Sequence, residues 1–187
     1  MILIIDTSSA TAAIATINDA RTETFVPSRS AELRTTLRAL ARNGDLTKVA
    51  VVSGPGSFTG LRVGISFALG LAMGRRIPIV PLPTLELQAA RSDEPLTAVA
   101  DAGRGRFYFR TADGRTGVGS PVEIPTDHPL VGRIDKRDSL IAAGHRFQPE
   151  SELRRFVDAA ALLLETAREV PYGSLEIEYM TSFSAPR

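Results

Sequence analysis

The sequence predicts an α/β fold of two lobes, and three observations lead to this prediction. Short apolar runs typical of buried strands alternate with helical periods between residues 28 and 91. Such alternation implies parallel strands joined by right-handed crossovers. A buried run ending in an aspartate occurs twice, at residues 2–6 and 96–101, and a polar segment, 92–95, lies between. We therefore predict an N-terminal lobe over residues 1–94 and a smaller C-terminal lobe, 95–187, that has lost helices.

The bulk composition favours an ordinary folded protein of the cytoplasm. A chain of 187 residues can hold one domain or two small lobes. Its 22 basic and 21 acidic residues give a formal charge of +1, which carries no global signal for nucleic acid or membrane. The absence of cysteine excludes disulfides and thiolate metal sites. The apolar start of the chain is too short for a signal peptide, so we expect a soluble protein with no membrane segment.

The N-terminal elements follow from apolar spacing and turn signals. Three strands are predicted at residues 2–5, 12–17 and 21–26. Ser28 or Ser30 then caps a helix that runs to about residue 42, where Asn43-Gly44 forms a stop. Later elements in this half share the same apolar character: they are strands at 48–52 and 77–80 and helices at 57–74 and 84–91.

The C-terminal half predicts more strands and one long helix. Four apolar or β-prone runs predict strands at residues 96–100, 106–110, 116–124 and 139–143. Apolar residues at helical spacing predict a helix over 150–169. Residues 175–179 predict a further edge strand.

A glycine-rich turn leads into the long helix at 57–74. Gly54 and Gly56 permit unusual backbone angles around Pro55, and Ser57 or Thr59 can cap the helix. Such a turn can bind an anion at the helix N-terminus, but it can also allow two backbones to pack closely together. The stretch lacks the Gly-Lys-Ser/Thr ending of a P-loop and the order of a nucleophile elbow. We therefore favour close packing.

A ridge of small residues runs along this helix. Gly60, Gly64, Ala68 and Ala72 lie four residues apart and so share one side of the helix. Interior glycine costs about 1 kcal/mol relative to alanine, which implies an offsetting contact with another backbone. That backbone belongs either to this chain or to a second protein. The second alternative arises because a small chain can hardly cover a helix that is apolar nearly all round.

Two turns offer candidate chemistry. Asp6, Thr7 and Ser8 form either a turn that binds a nucleotide phosphate with its metal ion or an ordinary hydrogen-bonded turn. Asp101 ends the second buried run and, with Asp6, would flank a cleft able to hold Mg²⁺ through water. The two histidines lie outside any metal-binding spacing.

Three arginines in the second half suggest a different contact. Arg104, Arg106 and Arg110 occupy even positions, so on a strand they share one face, which is either solvated or in contact with RNA phosphates.

Several segments resemble one known family. Segments 4–8 and 54–64 read IIDTS and GPGSFTGLRVG, and 83–85 and 101–108 read PTL and DAGRGRFY. They resemble the TsaB (YeaZ) family of bacterial proteins needed to make threonylcarbamoyladenosine in tRNA, and segments 143–144, 159–161 and 178–179 fit more loosely. The chain departs from the family pattern at Arg29, Gly103 and Arg106, where the family has histidine, arginine and glutamate.

The resemblance implies a fold and a role. The fold is the actin-like, ribonuclease H-like (ASKHA) one, with mixed sheets flanked by helices. The role is that of a non-catalytic scaffold that binds and activates the catalytic subunit TsaD, which transfers a threonylcarbamoyl group to adenosine next to the anticodon. A TsaE-like ATPase joins them, TsaC supplies threonylcarbamoyl adenylate, and tRNA is reached only through the complex.

The resemblance also implies site residues. The early helices form the pairing surface, used for a homodimer when the chain is alone or for the TsaD heterodimer. The matching interface positions here are Arg29, Leu33, Leu37, Gly56, Phe58, Thr59, Gly60, Arg62, Val63, Gly64, Phe67 and Ala68. ATP or ADP with Mg²⁺ at a shared interface, near Asp6, Thr7 and Ser8, is the candidate cofactor. The rival hypothesis is an actin-like ATPase or kinase that uses Asp6, Thr7 and Asp101 around Mg-ATP.

Overall fold

The computed structural model describes residues 1–135 and 137–177. They form two β-sheets with helices packed against them. The strands are β1 (Ile2–Asp6), β2 (Thr11–Ile17), β3 (Arg21–Pro27), β4 (Lys48–Gly54), β5 (Ile79–Pro83), β6 (Thr97–Gly103), β7 (Arg106–Arg110), β8 (Thr116–Gly119) and β9 (Leu130–Val131). The helices are α1 (Ala31–Ala41), α2 (Phe58–Arg75), α3 (Thr84–Ala89), α4 (Asp138–Ala142) and α5 (Phe156–Thr166).

The first sheet has the strand order β3-β2-β1-β4-β5. β1 pairs antiparallel with β2 and parallel with β4, and β4 pairs parallel with β5. Ile5 lies opposite Ile14 on one side and Val51 on the other. The predicted α/β class, with a mixed sheet, is confirmed in this half of the chain.

Both faces of the first sheet are covered, which explains the continuous apolar runs of its central strands. Leu3 and Ile5 join the core beneath α1 and α2. Ile4 faces the opposite side, where it packs in one cluster with Phe156 and Val157 of α5. Alternate side chains of one strand therefore fill two separate cores.

The second sheet has the order β8-β7-β6-β9, with β6 and β7 antiparallel and β6 and β9 parallel. The loop between β6 and β7 contains Arg104, whose φ of 53° lies in the left-handed region. The structure corrects the prediction that Arg104 shares a strand face with Arg106 and Arg110. Arg104 lies in the turn, while Arg106 begins β7 and donates a hydrogen bond to the Val118 carbonyl at 3.0 Å.

Several predicted elements of the C-terminal half differ from the structure in kind or length. Residues 139–143 were predicted as a strand, but they lie in and just after helix α4, where only Leu140 is buried. A short apolar run does not distinguish the two structures by periodicity. The predicted strand 116–124 ends at Gly119, because Pro121 starts a helical turn. Helix α5 begins at Phe156, not at residue 150. Residues 175–177 form no strand, and 178–179 lie outside the described residues.

After α5 the chain stays on the first sheet. Val170 forms an antiparallel bridge with Ile79, and the Tyr172 hydroxyl donates to the Ile77 carbonyl at 2.9 Å. The two sheets lie on either side of the boundary predicted between residues 94 and 95, but α5 completes the core of the first sheet. The division into lobes at that boundary stays a prediction.

None of the helices in the described ranges combines the length and the hydropathy that crossing a bilayer requires.

Candidate functional site

The glycine turn brings the start of α2 against the turn that follows β1. The Ser57 side chain caps α2 by accepting a hydrogen bond from the Gly60 amide at 3.3 Å. The Ser57 amide in turn donates to the Ser8 carbonyl at 2.7 Å. The candidate site therefore forms where β1, β4 and α2 meet.

The small-residue ridge of α2 packs on this turn within the chain itself. A Cβ atom added to Gly60 would lie 2.0 Å from the Thr7 carbonyl oxygen, and one added to Gly64 would lie 2.3 Å from Thr7 Oγ1. Thr7 Oγ1 donates a hydrogen bond to the Gly60 carbonyl at 2.7 Å. Ala68 and Ala72 continue the ridge into the core and are fully buried. The close backbone approach expected from the sequence is thus made to Thr7.

This packing corrects part of the predicted pairing surface. Leu33 and Leu37 lie in the core beneath α1, and Gly64 and Ala68 are buried against the first sheet. None of these four residues is available to a partner, because each faces the interior of its own chain. Gly60 is half-buried against Thr7.

The opposite side of α2 carries large apolar side chains in contact with solvent. Phe58, Val63 and Met73 are 49%, 47% and 53% exposed, and Phe67 at the edge of this side is half-buried and packs against the core of the first sheet. The Arg62 guanidinium lies over the Phe58 ring at 3.7 Å. We call these five residues the α2 outer strip. The sequence predicted a helix that is apolar nearly all round and left open whether this chain or a second protein covers it.

The remaining predicted interface residues lie around the start of α2. Arg29 and Thr59 are exposed, and Gly56 is half-buried against Ser8. Their contact with a partner stays a prediction.

A cleft of about 600 Å³ opens beside the glycine turn, between the two sheets. Ser8 in the turn after β1 and Ser57 at the start of α2 line it, together with Asp101 and Tyr108 of the second sheet. Asp101 is exposed, and its Oδ1 accepts a hydrogen bond from the Gly103 amide at 2.6 Å.

Asp6 is held inside the protein. It is 1% exposed, and its Oδ1 accepts from the Ser8 amide at 2.8 Å. Its Oδ2 accepts from Arg133 Nη1 at 3.1 Å, and Arg133 Nη2 also donates to the Thr11 carbonyl. Burial lowers the pKa of the Arg133 guanidinium, and the Asp6 charge opposes that shift. Asp6 is thus neutralised by a side chain of its own chain.

Arg133 is a residue that sequence reasoning missed. It follows β9 of the second sheet, far along the chain from Asp6 in β1. Its guanidinium lies within 5.2 Å of the Phe25 ring centroid and 5.8 Å of that of Phe156. A lone arginine after a glycine carries no sequence signal for such a role. Only the packing of the two sheets brings it to Asp6.

The predicted cofactor residues have partners within the chain. Thr7 and Ser8 are both buried. The Thr7 hydroxyl donates a hydrogen bond to the Gly60 carbonyl, and the Ser8 carbonyl accepts one from the Ser57 amide. Across the two described ranges, no three His, Asp or Glu side chains are grouped so that they could hold a metal ion. A nucleotide or Mg²⁺ at Asp6, Thr7 and Ser8 stays a prediction.

Comparison with known sequences points to proteins of tRNA threonylcarbamoyladenosine synthesis. Residues 34–124 match the family model for TsaD, tRNA N6-adenosine threonylcarbamoyltransferase. The chain is 42% identical over 67 residues to the tRNA threonylcarbamoyladenosine biosynthesis protein TsaB of Bacillus subtilis, which covers 34% of this chain and 29% of that protein. It is 37% identical over 70 residues to the TsaB protein of Escherichia coli, covering 35% and 30%. These alignments span less than a third of each relative.

Comparison with solved structures covers nearly the whole chain. YeaZ from Pseudomonas aeruginosa superposes with a TM-score of 0.70 at 20% identity, over 95% of this chain and 99% of that chain. The likeness shows the fold, and it confirms the predicted actin-like, ribonuclease H-like class with mixed sheets flanked by helices. The sequence matches and this fold agree, and together they make the chain similar to the TsaB (YeaZ) proteins.

Proposed function

We propose that this chain is a cytoplasmic, non-catalytic scaffold subunit of the complex that transfers a threonylcarbamoyl group to adenosine next to the anticodon of tRNAs. It binds and activates a TsaD-like catalytic subunit, and a TsaE-like ATPase joins the pair. The chain meets tRNA as part of this complex. Its relatives in Bacillus subtilis and Escherichia coli are tRNA threonylcarbamoyladenosine biosynthesis proteins, which supports a role in this pathway.

The α2 outer strip is the observation that carries the proposal. Phe58, Val63 and Met73 are each about half exposed on a helix that the first sheet holds rigidly. Large apolar and aromatic side chains clustered on a surface are typical anchors of protein interfaces. Arg62, stacked on Phe58, adds a cation that is common in such anchors. We place the TsaD-like subunit on this strip, and two copies of the chain cover each other's strips when the partner is absent.

The environment of Asp6 supports a non-catalytic role, in which this turn binds neither a metal ion nor a nucleotide. A carboxylate that holds a metal or a nucleotide has to be free to bind it. Here Asp6 is buried and bonded to Arg133, and the Thr7 hydroxyl is used in a hydrogen bond to α2. Mg-ATP would have to displace both internal bonds before it could bind.

The pairing is tested by replacing Val63 with glutamate. Val63→Glu puts a charge in the middle of the strip, and we expect it to weaken binding to the cognate TsaD-like subunit at least tenfold, because an interface would bury that charge without a partner. The fold should be retained, since glutamate is a good helix former at an exposed site. Titration calorimetry with the purified partner measures the change.

Leu162→Glu is the matched control for this experiment. Leu162 is 43% exposed on α5, which lies on the other face of the first sheet, and Val63 is 47% exposed. The same substitution there should leave the affinity unchanged. Equal affinity of Val63→Glu and the wild type would remove the α2 outer strip from the proposal, and a wild type that does not bind the partner at all would end the scaffold proposal.

The cleft of about 600 Å³ keeps an actin-like ATPase or kinase as the second candidate, because its volume suits a nucleotide. In this candidate Asp6, Thr7 and Asp101 would surround Mg-ATP. Calorimetric titration of the isolated chain with Mg-ATP separates the two functions. The scaffold proposal expects no tight binding, whereas micromolar affinity that depends on Mg²⁺ would favour the enzyme.

A further inference from the structure

A second pocket, of about 350 Å³, lies beside Arg133, where the end of α3 meets the loop that follows β9. Three arginines, two carboxylates and one aromatic ring are among its lining side chains: Arg91, Arg133, Arg137, Asp135, Glu150 and Phe25. We call it the arginine pocket. None of the described residues that line it belongs to α1 or α2, so it is distinct from the α2 outer strip.

Arg91 is a buried cation whose ion-pair partner lies at the surface. The Arg91 side chain is 5% exposed, whereas the side chain of Glu150, with which its Nη2 pairs, is 68% exposed. Arg91 Nε donates a hydrogen bond to the Arg154 carbonyl at 3.1 Å, which holds the guanidinium in place. A buried charge requires a partner, but an ion pair with an exposed side chain contributes little. The Glu150 carboxylate is therefore held weakly on a cation that requires an anion.

Arg133 brings a second, largely buried guanidinium to the same pocket. Burial lowers the pKa of this guanidinium, the Asp6 charge opposes that shift, and the positive charge of Arg91 adds to it. The two cations therefore lie close enough to repel each other. An anion in the pocket would reduce this repulsion, because it would attract both guanidinium groups.

Both guanidinium groups keep an N–H donor for a ligand. Arg133 donates through Nη1 and Nη2, and Arg91 donates through Nε and Nη2. Arg133 Nε and Arg91 Nη1 have no acceptor among the residues that the structure describes. The N–H groups of a guanidinium form a rigid fork, which matches the oxygen atoms of a phosphate or a carboxylate.

Arg137 adds a third, exposed cation to the lining. Its guanidinium carbon lies 4.4 Å from the centroid of the Phe147 ring. Its Nε and Nη2 donate to the carbonyls of Ile134 and Gly132 at 3.4 and 3.5 Å. These contacts position the charge but do not neutralise it, since Arg137 makes no ion pair within the described ranges.

We propose that the arginine pocket binds a phosphate group, which displaces the Glu150 carboxylate from Arg91. A phosphate carries up to two negative charges and can accept hydrogen bonds from several arginines at once, whereas Glu150 carries one charge and pairs with Arg91. The exposed ring of Phe25 gives the pocket an apolar wall, on which the rest of a phosphate ester can pack. The exposed Asp135 carboxylate opposes the anion, so we expect a modest Kd, on the order of 1 mM.

The proposal goes beyond the scaffold function and is tested on the isolated chain, by calorimetric titration with inorganic phosphate at low ionic strength in the presence of EDTA. Arg137→Gln should weaken binding about tenfold or more, as expected when a hydrogen bond to a charged group is lost. Arg146→Gln is the matched control. Arg146 is also an exposed arginine with no ion pair in the described parts of the chain, and it does not line the pocket. This control should bind phosphate like the wild type.

Glu150→Gln is expected to have the opposite effect. Glutamine no longer competes with the phosphate for Arg91, so binding should become about two- to fivefold tighter, the range expected when an exposed ion pair is removed. The matched control is Glu152→Gln, which removes the same charge from the same helical turn but from outside the pocket lining. It should bind more weakly than Glu150→Gln. Circular dichroism on all four variants checks that they are folded.

Phenyl phosphate, used as a second probe, distinguishes two sources of the phosphate group. Tighter binding of phenyl phosphate than of inorganic phosphate assigns the pocket to a phosphate ester that packs on Phe25, and equal binding assigns it to free phosphate.

Four results would overturn the proposal. They are a wild type that binds neither probe, equal losses in Arg137→Gln and Arg146→Gln, no gain in Glu150→Gln over Glu152→Gln, and binding that requires Mg²⁺. The last would place the phosphate in the larger cleft beside Asp101. Because the TsaD-like subunit is absent from this assay, a failure here leaves the pairing measured with Val63→Glu unaffected.

Discussion

Replacing Gly60 with alanine is expected to lower the free energy of unfolding by about 3 kcal/mol, at the upper end of the usual cost of overpacking. The new Cβ would lie 2.0 Å from the Thr7 carbonyl oxygen, far inside van der Waals contact. The obstacle is backbone, so no side-chain rotation relieves it. The clash also pushes apart Thr7 Oγ1 and the Gly60 carbonyl, which are hydrogen-bonded at 2.7 Å. Urea denaturation followed by circular dichroism measures the loss.

Gly70→Ala provides the control within the same helix. Gly70 is exposed, and a Cβ there would have nothing within 4 Å. Alanine should therefore stabilise the protein by about 0.5–1 kcal/mol, because it restricts the unfolded chain and favours the helix. Opposite signs at the two glycines are the expected result. If Gly60→Ala were as stable as the wild type, α2 would not pack on the turn after β1 as described.

Replacing Arg133 with methionine is expected to cost about 3–5 kcal/mol of stability. The substitution keeps much of the side-chain volume but leaves the Asp6 carboxylate buried without its cation. The cost arises from that unpaired charge and not from lost packing. Thermal and urea unfolding of Arg133→Met at neutral pH measure it.

The double variant Asp6→Asn with Arg133→Met separates charge from packing. Removing the carboxylate together with the guanidinium leaves no unpaired charge, so the double variant should recover most of the lost stability. A double variant no more stable than Arg133→Met alone would contradict this account. In that case the other contacts of Arg133, with the Thr11 carbonyl and the Phe25 and Phe156 rings, would carry its contribution.

The elements that the sequence predicts well are those whose pattern is local and strong. β1 and β4 are continuous apolar runs, and both are buried on two faces. The cap at Ser57 and the start of α2 follow from a hydroxyl at the end of a glycine turn. The run at 139–143 is too short for its periodicity to separate helix from strand, so α4 was predicted wrongly.

The candidate site is only partly predictable, because its decisive contacts join distant parts of the chain. The ridge of small residues predicts a close backbone approach, but nothing in the ridge says that Thr7 supplies the backbone. A helix apolar nearly all round does not reveal which side is covered, and so the sequence did not separate buried Gly64 from exposed Val63. The pairing of Arg133 with Asp6 has no local signal at either residue.

Helix α5 has a consequence for how the protein is made. Phe156 and Val157 complete the core over Ile4 of β1 and Ala13 of β2, and these two strands are synthesised well before α5. At about 5–20 residues per second, the interval before α5 emerges is on the order of ten seconds. During that time one apolar face of the nascent sheet has no cover from its own chain, which is the kind of surface that chaperones hold and that aggregates form from. The synthesis of α5 therefore sets the moment at which the first sheet can become native.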